Sequence, residues 1–283
     1  MFKILKKREL NSQVTLMEFE APLIARKANA GQFIIFRTDE FGERVPLTIA
    51  DFDREKGTVT IIFQKVGQST LQLGLMEEGD SILDVVGPLG VATHLEEGWE
   101  RVAVIGGGVG CAIAYPQAKA LHNKGVNVDL IAGFRSKDIV ILEDEMKAVS
   151  NDLYITTDDG SYGFKGFVTQ KLQELIDSGV KYDAVIAIGP VPMMKFVCNV
   201  TKPYGIKTIV SLNPIMIDGT GMYGGCRVTV GGKIKYACVD GPDFDGHEVD
   251  FDELMKRNSA YKESEKEANN HVCRLTGGVR RHG

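Results

Sequence analysis

The chain has 283 residues, 43% of them hydrophobic and 25% charged, with a formal net charge of -5. That balance belongs to a globular chain long enough for two cores and excludes an intrinsically disordered one. The mild negative charge offers nothing to nucleic acid or an anionic membrane; no apolar run approaches a membrane span, and MFKILKKREL lacks the apolar stretch of a signal peptide.

The first 97 residues read as short strands: 2–10, 14–21, 32–39, 45–52, 58–66 and 81–90 mix β-branched and aromatic residues between Asn, Asp and Gly turns. A short helix is expected over 69–79. Six strands in so short a stretch predict a small antiparallel barrel. From Arg101 the pattern changes. Apolar strand segments at 101–108, 127–135, 152–159, 182–190 and 207–214 alternate with helical segments at 111–125, 139–149, 167–179 and 191–205. That alternation predicts a parallel sheet with helices on both faces. Beyond Pro214 the periodicity gives way to a glycine-rich loop, and a last helix is expected over 250–275. The expected division is therefore 1–97 barrel, 98–214 nucleotide-type α/β domain and 215–283 loop and C-terminal helix.

Gly106, Gly107, Gly108 and Gly110 lie where the first parallel strand meets its helix. Glycine there permits a tight turn and close approach of a pyrophosphate to a helix N-terminus. The second strand ends in GFRSKD, with no acidic residue to grip a ribose diol. Arg135, Ser136 and Lys137 suit a 2′-phosphate equally, so the residues leave NAD and NADP open. Asp158 fits either a ribose hydroxyl or an aspartate turn. Met193 and Met194 fit an ordinary core helix. In the barrel, Arg44 and Thr48 flank Pro46, supplying a phosphate-pairing cation and a hydroxyl able to bond a flat heterocycle. Gly67, Ser69 and Thr70 open the short helix with N–H groups and hydroxyls suited to a second anion.

The stretch DGTGMYGGCRVTVGGKIKYAC places Asp218, Tyr223, Cys226 and Cys238 at the ligand spacing of plant-type iron–sulfur loops, C-x4-C-x2-C with a distant fourth cysteine. Only two of the four positions are cysteines. Glycines at 219, 221, 224 and 225 suit close backbone wrapping of a cluster. A zinc site is less well served, because one Asp and two Cys lack a fourth ligand. The five cysteines, Cys111, Cys198, Cys226, Cys238 and Cys273, are odd in number and scattered, which argues against a disulfide framework and for a reducing, cytoplasmic setting.

Arg44-Val-Pro46-Leu-Thr48, Gly67-Gln-Ser69-Thr70, Gly87-Pro88-Leu89-Gly90, the Gly106–Gly110 turn, Gly189-Pro190 and the segments SLNPIMIDGTGMYGGCRVTVGGK and CVDGPDFDGHEVD together resemble the ferredoxin-reductase superfamily. Within it the chain is similar to the electron-transfer flavoprotein subunits of dihydroorotate dehydrogenase B, and most to the small subunits of NADH-dependent reduced ferredoxin:NADP oxidoreductases. The resemblance spans nearly the whole chain and is most specific in its last third. It implies an antiparallel FAD barrel, a parallel NAD(H)-binding sheet and a [2Fe–2S] loop.

By that resemblance Arg44, Pro46, Leu47 and Thr48 hold FAD, with Arg44 on the pyrophosphate and Thr48, the catalytic residue, near isoalloxazine N5. Gly67, Ser69 and Thr70 hold the phosphates. Gly106, Gly107, Gly108 and Gly110 take the pyrophosphate of NAD(H), with Gly189 and Pro190 on the nicotinamide side. Asp218, Cys226 and Cys238 match three cluster ligands, and Tyr223 stands where the family carries its remaining cysteine. Tyr223 is then a phenolate ligand, the mark of a weak or absent cluster, or a substitution in a chain whose relatives carry the cluster. The implied activity is hydride exchange between NAD(H) and FAD, with electrons passing onward to a larger flavin and iron–sulfur partner subunit that handles NADP(H) and ferredoxin, as in flavin-based bifurcation. The alternatives are a subunit feeding dihydroorotate dehydrogenase and a cluster-less regulatory subunit.

Overall fold

The computed structural model describes residues 1–260. Two seven-stranded sheets and one hairpin account for the strands. The first sheet uses β1 (Phe2–Glu9), β2 (Val14–Glu20), β3 (Phe33–Arg37), β4 (Val45–Asp53), β5 (Thr58–Gln64), β6 (Ser81–Ile82) and β7 (Asp84–Leu89) in the order β6-β1-β2-β5-β4-β3-β7. Its pairings are antiparallel. The stretch expected as one strand over 81–90 is split at Leu83: β6 joins β1 and β7 joins β3. Because these strands are adjacent in sequence yet stand at opposite ends of the sheet, the sheet must curl until its edges meet. The interior is filled by buried Met17, Phe19, Phe36, Ile49, Ile61 and Phe63. Two short helices cap the barrel, α1 (Pro22–Lys27) and α2 (Gln68–Leu75). Sequence periodicity missed α1, which is under two turns long and begins with a proline suited to a helix start.

The second sheet runs β11-β10-β9-β8-β12-β13-β16. Its strands are β8 (Arg101–Gly107), β9 (Asn127–Phe134), β10 (Asp152–Thr157), β11 (Phe164–Lys165), β12 (Ala184–Ile188), β13 (Lys207–Ser211) and β16 (Asp243–Asp245). All pairings are parallel except that of β13 with β16. The helices are α3 (Cys111–Asn123), α4 (Glu143–Ala148), α5 (Val168–Asp177) and α6 (Val191–Thr201). The α4 helix is shorter than the expected 139–149. Separate apolar cores form on the two faces, one under α3 and α4, the other under α5 and α6. Burial on both faces explains why β8 and β12 are unbroken apolar runs. Strand order reverses around β8, with β9 and β10 on one side and β12 and β13 on the other, which opens a crevice at the carboxyl ends of the strands.

The last described segment contains the hairpin β14 (Arg227–Val230) with β15 (Lys233–Tyr236), then β16 and α7 (Phe251–Asn258). The helix expected over 250–275 is seen in its first part; the remainder lies outside the described residues. Asp250 caps α7 by accepting from the Glu253 N–H at 2.9 Å.

Asp243 ties the three segments together. Its Oδ2 accepts from Thr93 Oγ1 at 2.5 Å, on the connection between the sheets, and from Gln117 Nε2 at 3.4 Å, on α3. Its Oδ1 is buried without a partner. Burial raises the carboxyl above its ordinary value, and the bonds from Thr93 and Gln117 only partly offset it. Between the ordinary value of 3.8 and the raised one, the folded chain binds a proton that the unfolded chain releases, so this residue lowers stability as pH rises through that window. Asp243→Asn, which keeps the shape and removes the charge, is expected to stabilise increasingly as pH rises from about 4 until the raised value is passed. Thermal melts across that range check it; a constant difference from wild type would refute it.

Candidate cofactor cleft and iron–sulfur loop

Between the two sheets lies a cleft of about 1130 Å³. On the barrel side, Phe33, Pro46, Leu47, Thr48 and Thr70 line it; on the other, Gly107, Gly108, Gly110, Gly189, Pro190 and Met193. The segment around Ser211–Met216 and Pro242 supplies further wall. Pro46, Leu47 and Thr48 lie in mid-sheet, paired with Ile35, Ile34 and Phe33, yet are only half buried. The uncovered face of β4 is the barrel wall of the cleft.

Four of the expected cofactor residues, Arg44, Gly67, Ser69 and Gly106, do not line the cleft. Arg44 is exposed and has no ion pair among the described residues. Its neighbour Glu43 accepts from Ser69 Oγ at 3.2 Å, which brings the start of β4 to the start of α2. Thr70 Oγ1 accepts from the N–H groups of Val66 and Gly67, both at 3.1 Å. The hydroxyl is thereby committed to shaping the turn, and what this helix start still offers an anion is its first backbone N–H groups.

Across the cleft, the β8–α3 and β12–α6 turns touch. A Cβ on Gly110 would stand 2.5 Å from the Ile188 carbonyl oxygen and 2.8 Å from Gly189 Cα, and one on Gly107 would stand 2.5 Å from Met193 Sδ. Gly108 differs: its φ is +57° and nothing lies within 4 Å of where a Cβ would be. Gly106 serves packing, since its Cβ would meet Cys111 Cα at 2.7 Å. The two methionines part company. Met194 is buried in the core as expected, whereas Met193, also expected in the core, lines the cleft.

The third and second strands contribute Asp158 and Arg135 to the lining. Asp159 makes the turn: its Oδ1 accepts from the Ser161 N–H at 2.9 Å and Oγ at 2.6 Å, and these bonds hold its carboxyl below the ordinary range. Asp158 is therefore left facing the cleft. Lys137 is drawn over the Tyr162 ring at 5.2 Å, leaving Arg135 as the nearer cation. Sequence reading missed Phe167 and Phe196, each well exposed yet lining the cleft, because an isolated aromatic on a helix or its cap carries no sequence signal of its surroundings.

The loop from Asp218 to Cys238 folds against the barrel, where a Cβ on Gly219 would strike Leu89 and Ile35 at 2.7 and 2.8 Å. Cys226 and Cys238 are buried with their sulfurs 2.9 Å apart, in an apolar cluster with Phe33, Ile35 and Ala237. Burial, then the contact with Cys226, pushes the Cys238 thiol up to about 12, so a metal must displace its proton. Asp218 Oδ2 accepts from the N–H groups of Thr220 and Met222, at 3.2 and 3.1 Å, and from the Thr220 hydroxyl. Tyr223 is 72% exposed. Cys111 and Cys198 lie in the cores on the two faces of the parallel sheet, apart from this pair. Cys273 lies outside the described residues.

Residues 213–250 match the family model of the iron-sulfur cluster binding domain of dihydroorotate dehydrogenase B. A Thermotoga maritima homolog of the dihydroorotate dehydrogenase B (NAD(+)) electron transfer subunit is 48% identical over 264 residues, covering 93% of each chain. The corresponding electron transfer subunit of Geobacillus thermodenitrificans is 33% identical over 254 residues, covering 87% of this chain and 96% of its own. This chain belongs to the dihydroorotate dehydrogenase B electron-transfer subunit family.

A solved chain of the NADH-dependent reduced ferredoxin-NADP oxidoreductase, studied for flavin-based electron bifurcation, superposes with a TM-score of 0.91 at 46% identity, covering 96% of this chain and 98% of that one. The ferredoxin reductase of carbazole 1,9a-dioxygenase shares the fold, with a TM-score of 0.63 at 18% identity over 72% of this chain. The chain thus has the ferredoxin-reductase-like architecture read from its sequence, and its iron–sulfur segment is the loop that packs Cys226 and Cys238 under the barrel.

Gly110→Ala is expected to cost about 1–3 kcal/mol through overpacking against the Ile188 carbonyl. Gly108→Ala is expected to cost about 1–2 kcal/mol, from left-handed backbone strain alone, while filling space in the cleft. Chemical denaturation of both variants checks the pair; a neutral Gly110→Ala would show that the turns can separate.

Proposed function

We propose that this chain is an oxidoreductase subunit in which FAD and NAD(H) meet in the cleft between the two sheets. Electrons then leave through a [2Fe–2S] centre in the 213–250 segment for a larger flavin and iron–sulfur partner subunit that reacts with NADP(H) and ferredoxin. We also take 1–97, 98–214 and 215–283 as its functional divisions and the cytoplasm as its compartment; the four described cysteines are free thiols, and no described helix is long and apolar enough to span a membrane. The observation that carries the reading is one continuous cleft. It joins the open face of β4 to the paired glycine turns of β8 and β12, as hydride transfer between two stacked flat rings requires.

Bound FAD would supply the acceptance of a hydride from the nicotinamide and the release of single electrons. The chain's part is to bind, orient and exclude water. Thr48 offers a hydroxyl from the exposed face of β4, between Pro46 and Leu47 on one side and β3 on the other. Arg44 and the N–H groups at the start of α2, beside Gly67, Ser69 and Thr70, suit the flavin pyrophosphate. The open space at Gly108, at the head of α3, suits the pyrophosphate of NAD(H), with Gly107 and Gly110 letting the backbone approach. Gly189 and Pro190 flank the nicotinamide end. Phe33 and the apolar wall keep the reacting faces dry.

NAD(H) is preferred over NADP(H) in this reading because Asp158 faces the cleft with its carboxylate outside the turn made by Asp159. A carboxylate accepts from a ribose diol and repels a 2′-phosphate. Feeding dihydroorotate dehydrogenase is the second reading, favoured by the names of the relatives at about one-third identity; co-purification separates the two by the identity of the large subunit.

The test is dye reduction by the purified yellow protein. NADH is expected to outperform NADPH by at least about tenfold, equivalent to about 1.4 kcal/mol. Asp158→Ala is expected to narrow that ratio, chiefly through the NADH KM. Thr48→Ala, losing one hydrogen bond of about 1 kcal/mol, is expected to slow flavin reduction about fivefold with FAD content unchanged. A flavin-bearing protein that NADH fails to reduce would refute the reading and favour a regulatory subunit.

A further inference from the structure

We propose that Tyr223 stands outside the coordination sphere of the [2Fe–2S] centre, and that the chain supplies three protein ligands, Asp218, Cys226 and Cys238, with the fourth position open to a small exogenous ligand. The inference rests on the cluster assigned above to the 213–250 segment.

Cys226 and Cys238 converge on one point. Their sulfurs are 2.9 Å apart, and both side chains are at most 2% exposed. Two thiolates on one tetrahedral metal, at bonds of about 2.3 Å, stand about 3.8 Å apart, so a modest parting lets this pair share an iron. Asp218 is prepared in a different way. All three of its hydrogen bonds fall on Oδ2, which fixes the carboxylate and leaves Oδ1 free to bind. Ligating carboxylates are commonly oriented through such bonds. The oriented carboxylate and the paired thiols form the ligand set that this loop offers.

Position 223 does not join it. The Tyr223 side chain is 72% exposed, beside Met222 at 84%, and makes no hydrogen bond among the described residues. The turn that carries it is pinned on both sides. Gly221 and Gly224 hold φ of +81° and +65°, and the Arg227 N–H closes onto the Gly224 carbonyl at 3.2 Å. A cysteine at 223 reaches inward with one short bond from its Cα. A phenol oxygen stands much farther out, so bringing it to the same place requires the turn to open and those contacts to break. The other described thiols, Cys111 and Cys198, belong to separate cores. With three protein ligands in place, the fourth position is left to a solvent-borne donor, as at metal sites that keep an exchangeable position.

The test uses the full chain with its FAD, reconstituted anaerobically with iron and sulfide, as wild type, Tyr223→Phe and Tyr223→Cys. The readouts are iron and acid-labile sulfide per chain, visible absorption and circular dichroism with and without added 2-mercaptoethanol, and iron release to a chelator. Wild type and Tyr223→Phe are expected to match in iron, sulfide and spectrum, and the thiol is expected to shift both spectra. Tyr223→Cys is expected to ignore the thiol and to release iron roughly tenfold more slowly. Loss of iron or a changed spectrum in Tyr223→Phe would show that the phenol is a ligand and overturn the proposal. So would a wild-type spectrum that ignores the thiol, or iron and sulfide bound by Tyr223→Cys alone. Absence of iron and sulfide from all three variants would overturn the cluster reading beneath it. FAD content and NADH-driven dye reduction, measured on the same samples, report on the flavin and nucleotide sites independently of position 223.

Discussion

The cleft depends on how closely two strand–helix turns approach one another. Gly107 and Gly110 let the β8–α3 turn rest against Ile188, Gly189 and Met193 of the β12–α6 turn, with no room for a side chain between. That contact lies where the strand order reverses, so the crevice of the parallel sheet opens beside it rather than being filled by it. The barrel then closes the other side with β4, where Pro46, Leu47 and Thr48 line the cleft. The open face of β4 and the paired glycine turns border one space because of this packing.

Polar contacts hold the two halves in register. Lys119 on α3 reaches both oxygens of Asp51 on β4 at 2.8 Å, and Arg8 on β1 pairs with Glu145 on α4. Partly exposed pairs of this kind contribute little each, and their value is in fixing orientation. Asp243 is a different case: a carboxyl buried among Thr93, Gln117 and Ser211, which ties the connection between the sheets, the α3 helix and the last strand to one point. Through β16 the iron–sulfur segment is also hydrogen-bonded to β13, so the loop cannot shift far without disturbing the parallel sheet.

That anchoring holds the loop in shape on either side of position 223. Gly219 seats it on the barrel, the buried thiols pack against Phe33 and Ile35, and Asp218 holds its own turn through Oδ2. Position 223 faces solvent, and no hydrogen bond among the described residues depends on its side chain.

Much of this was legible in the residues. The alternating strands before residue 97, the strand–helix alternation after Arg101, the glycine turn and the cysteine spacing are local patterns, because backbone hydrogen bonding and side-chain periodicity act over a few residues. The sequence by itself therefore determined the barrel, the parallel sheet and the placing of an iron–sulfur loop after them. Tertiary structure alone decided which of two adjacent residues faces the site. Met193 rather than Met194 lines the cleft, Asp158 rather than Asp159 is free of the turn, and Cys226 and Cys238 meet while Cys111 and Cys198 are sealed into separate cores. It also decided that Tyr223 is exposed while the two thiols are buried. Each of these outcomes depends on contacts between segments far apart in the chain, and no local pattern encodes them.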